Sequence, residues 1–228
     1  MTAEVFPLVD CFGAGGGEPY ENALRTGGPL LLHDDGPDPG PAPRPLEVDR
    51  FLAGADRVER RLLASTTGSV LDVGCGPGRM VAEARRTGRA ALGVDVSPES
   101  VRLATDRGLP VHCGSVFDDV PGAGTWEVVL LLDGNVGIGG DPTLLLLRSA
   151  ELASPTACLV VETALERHRD RRFTARVSSP VSGGSGRFPW AEVGAEALVA
   201  AAGLSGWTRV REVRRRRRTF VVLTRVTP

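Results

Sequence analysis

Between residues 69 and 163 the apolar positions fall into short continuous runs, and the segments separating them carry helical spacing. "SVLDVG" (69–74), "AALGVDV" (90–96), "PVHCGSV" (110–116), "WEVVLLLDG" (126–134) and "ACLVVET" (157–163) have the length and β-branching of buried strands. "GRMVAEARRTG" (78–88), "SPESVRLATDRG" (97–108) and "DPTLLLLRSAELAS" (141–154) read as helices, with Ser97 and Asp141 as N-caps and Pro98 at a first helical position. Strands alternating with helices predict an α/β domain, a doubly wound, mainly parallel sheet with helices on both faces.

The flanks are patterned less clearly. "VDRFLAGADRVERRLLAS" (48–65) and "PWAEVGAEALVAAAGL" (189–204) read as further helices, and "WTRVREV" (207–213) and "RTFVVLTRV" (218–226) as two closing strands. Residues 12–45 are rich in glycine and proline and read as an ordered loop or short linker. Residues 165–189 read as an arginine-rich irregular insertion.

Composition narrows the chemistry. The 228 residues suffice for one sizeable core. The 27 basic and 28 acidic residues nearly cancel, which gives no bulk attraction to nucleic acid or membrane. Every basic residue is arginine, so lysine Schiff bases and the P-loop lysine are excluded. Cys11, Cys75, Cys113 and Cys158 are scattered, with no paired spacing and no histidine at zinc spacing; we expect reduced thiols, no metal site and a cytoplasmic setting. The first ten residues lack the pattern of a signal peptide, and the longest apolar runs are too short to span a bilayer.

The densest chemistry is "LDVGCGPGRM" (71–80), where Gly74, Gly76 and Gly78 stand between a strand and a helix. In doubly wound sheets a ligand approaches bare backbone at this turn. Asp95 closes the next strand, 19 residues beyond Gly76, where an acid receives ribose hydroxyls. A dinucleotide fingerprint requires glycine at 79, where Arg79 stands, and a pyrophosphate is repelled by Asp72. A phosphate-free, cationic adenosine compound meets neither objection; S-adenosylmethionine is one.

"VLDVGCGPGRM" followed by "LGVDVSPESV" resembles the first two motifs of class I S-adenosylmethionine-dependent methyltransferases, and "LLLDGNVGIGGDPTLLLLRSAELASP" is similar to the fourth-strand region of actinobacterial members. The resemblance covers residues 65–165 and implies a Rossmann-like, seven-stranded sheet whose last strand inserts antiparallel beside the fifth. It implies a cytoplasmic enzyme transferring methyl from S-adenosylmethionine to a small-molecule acceptor, with neither nucleic acid nor membrane as partner. It further implies that residues 1–50 form a lid or extension to a domain spanning 51–228, with 165–189 as a substrate-side insertion. Asp72, Gly74, Cys75, Gly76, Pro77 and Gly78 would form the loop against the methionine moiety, Asp95 would bind the ribose, and Val96 would pack on adenine. Ser115 and Val116 follow the third strand where the family carries an adenine-binding acid, with Asp118 as the alternative.

Asp133 and Asn135, after the fourth strand, would lie beside the transferable methyl group. Where the acceptor needs a general base, the candidates are His168, His112, Asp133 and Glu162. Arg171 and Arg172 are candidates to clamp an acidic acceptor, and Tyr20 and Trp190, at the opening of a helix, to line its pocket. The "RRRRR" run (214–218) reads as a solvent-facing hairpin turn. Two alternatives stay open: a nucleic-acid or protein methyltransferase using the basic C-terminal third, and a cofactor-binding protein that transfers nothing. A nicotinamide dehydrogenase is more remote.

Overall fold

The computed structural model describes Phe12 and residues 19–36 and 42–226. The N-terminal ten residues, Cys11 and the centre of the proline-rich segment, on which some expectations fall, lie outside the described residues. Two sheets make up the fold. The larger has seven strands in the order β11-β12-β7-β6-β3-β4-β5. These are β3 (Val70–Val73), β4 (Ala91–Asp95), β5 (Val111–Cys113), β6 (Trp126–Leu131), β7 (Ala153–Thr163), β11 (Trp207–Arg215) and β12 (Arg218–Arg225). β3 pairs in parallel with β4 and β6, whereas β12 inserts antiparallel between β7 and β11.

Both faces of this sheet are covered, which is why its central strands read as unbroken apolar runs. Leu71, Val73, Val129, Leu131, Val221 and Leu223 face one core with α6 (Pro142–Leu152) and α7 (Ala195–Gly203). Val70, Val128, Leu130, Phe220 and Val222 face the other with α3 (Arg57–Ala64) and α4 (Arg79–Arg86). Ser97 caps α5 (Pro98–Asp106) by accepting from the Ser100 amide, and Asp141 caps α6 by accepting from the Thr143 amide at 2.9 Å. The expected helix over 48–65 is two helices, α2 (Val48–Leu52) and α3. Asp56 forms a capping box with Glu59 at the restart, so the polar break outweighs the apolar spacing.

The second sheet was not foreseen. Residues 165–189 are largely regular: β8 (Asp170–Ser179) pairs with β10 (Phe188–Val193), with β1 (Leu30–Asp34) and with the short β9 (Gly183–Gly184), and β1 pairs with β2 (Arg44–Leu46). Trp190 therefore lies in β10 opposite Phe173 and does not open a helix; α7 begins only at Ala195. Tyr20 and Leu24 of α1 (Pro19–Thr26) join Leu30, Leu32, Val177 and Phe188 in a third core beneath this sheet. Among the described residues no helix is long and apolar enough to cross a membrane.

The two sheets meet at the turn after β6. A Cβ on Gly137 would fall 2.1 Å from the Ala191 carbonyl oxygen and 2.9 Å from the Trp190 ring. Gly137→Ala is expected to destabilise the fold by about 1–3 kcal/mol through overpacking, measured by urea unfolding; an unchanged midpoint would contradict this docking.

Candidate functional site

Gly74, Gly76 and Gly78 follow β3 with φ of 65°, 54° and 82°, the left-handed region that glycine enters without strain. A side chain at 74 would meet the Asn135 amide nitrogen at 2.5 Å, and one at 78 would meet Leu109 at 2.9 Å. These two glycines are required by the protein's own packing. At Gly76 the neighbour is the Tyr20 hydroxyl at 3.6 Å, so α1 covers the middle of the loop. Asn135 donates its side-chain amide to the carbonyls of Val73 and Gly74, both at 2.9 Å, and so ties the loop after β6 to the glycine turn. Cys75 is buried against Gly93, and the carbonyl of Pro77 accepts from Arg107 at 2.9 Å.

Three acidic or phenolic groups converge here. Asp95 accepts from the amides of Gly76 (2.7 Å) and Ser97 (2.8 Å), and burial pushes its carboxyl up to about 6. Its oxygens retain lone pairs for further donors. The Tyr20 hydroxyl lies 3.3 Å from Ser100 Oγ, and burial beside Asp95 holds its phenol protonated. Asp72, 4% exposed, accepts no hydrogen bond from any described residue. Burial pushes its carboxyl up to about 7, with Arg79 opposing and Asp133, Glu59 and Asp95 adding to the rise.

Beneath the loop lies a buried ion network that local sequence reading did not find. Arg79, the residue in place of a third fingerprint glycine, donates to Glu59 at 3.0 Å and to Asp133. Arg50 bridges the same two carboxylates at 2.8 and 2.9 Å. Arg218 forks onto Glu162, two bonds of 2.7 Å, and reaches Glu59 at 3.0 Å and Asp56 at 2.9 Å. The Asp133 amide, at φ 56°, donates to Glu162 at 3.0 Å. Burial raises the Glu59 carboxyl, but Arg79 and Arg50 outweigh it and hold it down to about 2. Glu162 is likewise lowered despite burial, mainly by Arg218, which leaves a poor general base.

The other expected residues are scattered by comparison. Asp133 turns its carboxylate into the network, and the amide donors of Asn135 are spent on backbone. Val96 and Ser115 are half-buried; Ser115 Oγ accepts from the Phe117 amide at 3.1 Å, while Val116 belongs to the main core. Asp118 is exposed, and His112 packs against Gly114. Phe117, an exposed aromatic just past β5 and close to Gly139, was overlooked; an aromatic at a parallel strand's C-terminal end was the available signal. His168 is exposed in the turn after β7, whose flanking arginines bind Glu196, Glu212 and Glu192 of α7, β11 and β10, away from the glycine loop. Arg171 pairs with Asp34 and Arg172 with Asp170, so neither is a free clamp. Trp190 packs with Phe12 and Phe188, and Phe12 in turn with Tyr20, yet the buried indole N–H of Trp190 finds no partner among the described residues. The arginine run turns at Arg216 and Arg217 as a solvent-facing hairpin, except that Arg218 joins the buried network.

Residues 47–207 match the family model of a methyltransferase domain. No curated protein matches the chain significantly in sequence. Among solved structures, an S-adenosylmethionine-dependent methyltransferase from Bacteroides fragilis, in complex with S-adenosylhomocysteine, is similar at 20% identity and a TM-score of 0.76. That match covers 95% of this chain and 98% of the other. A 1,6-didemethyltoxoflavin N1-methyltransferase from Burkholderia thailandensis is similar at 18% identity and TM-score 0.55, over 74% of this chain and 77% of that one. An amino pentose methyltransferase from Micromonospora echinaspora gives 18% and 0.55, over 78% and 94%.

Replacing Arg79 by methionine strips Glu59 and Asp133 of a shared buried cation and is expected to cost about 3–5 kcal/mol in unfolding free energy. Glu59's folded pKa lies below its ordinary 4.5, so its contribution is complete above about pH 4.5 and is lost as pH falls towards 2. Chemical denaturation at several pH values measures both effects, and a methionine variant as stable as the parent would show the network to be idle.

Proposed function

The chain belongs to the methyltransferase-domain family, and from that premise we propose that it binds S-adenosylmethionine and methylates a small-molecule acceptor. The observation that carries this reading is Asp72. A buried carboxylate that pairs with no side chain among the described residues, near the end of β3, favours a cationic ligand and disfavours a pyrophosphate. Arg79, at the start of α4, offers no charge to a phosphate, being shared between Glu59 and Asp133. When bound, the sulfonium cofactor supplies an electrophilic methyl group for in-line displacement.

On this reading Gly74 to Gly78 present bare main chain to the amino-acid end of the cofactor, and Asp95 uses its remaining lone pairs for the ribose. Val96, Ser115 and Val116 border the adenine. Asn135 is a positioning residue that sets the turn after β6 against the glycine loop. The second sheet, built from the N-terminal segment and residues 170–193, is the acceptor-side cover. Its aromatic side chains, with the Trp190 N–H beside Gly137 that has no partner among the described residues, suit a flat acceptor carrying a hydrogen-bond acceptor atom. Arg171 and Arg172 being paired, the lining favours an uncharged acceptor over an acidic one. Rate enhancement then comes from alignment and exclusion of water, with no side-chain base assigned. Cys75, Cys113 and Cys158 are free thiols, which supports a cytoplasmic setting.

Calorimetric titration and detection of S-adenosylhomocysteine with a panel of neutral heteroaromatic and sugar acceptors test the proposal. Binding of the cationic cofactor requires ionised Asp72 and Asp95, whose free carboxyls stand at about 7 and about 6. Affinity should therefore rise from pH 5.5 to a plateau near pH 8, by up to about tenfold per pH unit for each group. Affinity independent of pH, or NADH binding in preference, would contradict the cofactor assignment.

Asp72→Asn separates ligand binding from folding. The folded pKa of Asp72 is raised above 3.8, so its ionisation costs stability progressively as pH rises to about 7, and the full cost persists above that. At pH 8 the ligand-free variant should melt higher than the parent and bind S-adenosylmethionine at least about tenfold more weakly. A lower melting point with unchanged affinity would refute the role given to this carboxylate.

A further inference from the structure

A cavity of about 490 Å³ opens between α3 and α4, at the end of the parallel strands opposite the glycine loop. Its walls carry Arg57, Arg60, Arg61, Arg86 and Arg89 against one carboxylate, Glu83, and Glu83 is already forked onto Arg86 at 2.7 and 2.9 Å. Many arginines elsewhere are paired with carboxylates, as at Arg50, Arg79, Arg102, Arg167 and Arg218. Among the described residues, Arg57, Arg60, Arg61 and Arg89 have no carboxylate within 4.0 Å. The floor of the cavity adds an independent observation. Arg89 donates to the carbonyls of Gly68 and Leu63 and to the Thr66 hydroxyl, yet its buried Nη2 group has no partner among the described residues. A buried donor atom left unpaired on a half-buried arginine suits a ligand or a compensating charge.

We propose that this cavity binds a phosphate-bearing small molecule, at a site separate from the crevice that serves methyl transfer. Arg57 and Arg61 line the same volume as Arg60, which spends one donor on the Ala55 carbonyl at 2.8 Å, and as Arg89. Guanidinium groups lining one volume suit a phosphoryl group, whose oxygens accept paired N–H donors from more than one arginine. The volume is that of a small-molecule site, and Leu63 and Ala64 supply an apolar surface for whatever carries the phosphate. Burial lowers the Arg89 pKa, so a bound anion also relieves an uncompensated charge. Arg57 and Arg61 are exposed at the mouth, where they can move onto a ligand without disturbing the core.

The test is calorimetric titration of the full chain with inorganic phosphate, pyrophosphate and ribose 5-phosphate at constant ionic strength, repeated on Arg57→Glu/Arg61→Glu. Saturable one-to-one binding is expected, tighter for pyrophosphate than for phosphate and weakened by about tenfold or more in the double variant. Affinity for S-adenosylmethionine and the unfolding midpoint should stay unchanged, which separates this site from the crevice. Ribose 5-phosphate binding more tightly than free phosphate would assign the apolar wall to the carrier. Non-saturable heats, equal binding by the variant, or equal competition by chloride would overturn the proposal. Should the charge reversal unfold the protein, Arg57→Gln/Arg61→Gln answers the same question.

Discussion

The guanidinium of Arg79, shared between Glu59 and Asp133, is the interaction on which the rest of the site depends. It joins α4, which opens at the glycine loop, to α3 and to the turn after β6. That turn carries Asn135, whose amide clasps the carbonyls at the end of β3. Arg50 and Arg218 extend the same network to α2 and to β12. A buried cluster of this kind contributes little net stability when complete, because desolvation offsets attraction, but removing one member leaves a buried charge exposed to no partner. Its value here is geometric: it holds Asp133 at a positive φ and so sets the turn's direction.

The same accounting underlies the proposal that the crevice takes a cation. Three arginines serve Glu59, Asp133, Glu162 and Asp56, and Asp72 stands outside the arrangement. Its carboxyl is left close to neutrality by burial and by neighbouring negative charge. On that proposal a ligand bearing positive charge supplies what the described residues do not, whereas a diphosphate adds to the imbalance. Asp95 differs, since the amides of Gly76 and Ser97 partly satisfy it and shape the loop before any ligand arrives.

The central sheet was legible because its strands bury both faces and leave unbroken apolar runs, and because Ser97 and Asp141 mark helix starts by local capping chemistry. The placement of the glycines, Asp72 and Asp95 was legible for a similar reason: it is set by spacing within a few residues of a strand's end. The second sheet was not. In β8 the period-two pattern of Phe173, Ala175 and Val177 is crowded by arginines, and its partner β1 lies more than a hundred residues away. The ion network escaped for the same reason, since Arg218 meets Glu59 across 159 positions. Asp133 and Asn135 were placed at the right turn, but the direction of their side chains follows from a backbone conformation that no local pattern encodes.

Carbon-detected titration of the Asp72 carboxyl in the free and S-adenosylmethionine-bound protein tests the central claim most directly. The account predicts a midpoint near 7 in the free protein that falls by more than about one unit when the cofactor binds. An ordinary carboxylate midpoint in the free protein, or one that does not move on binding, would contradict it.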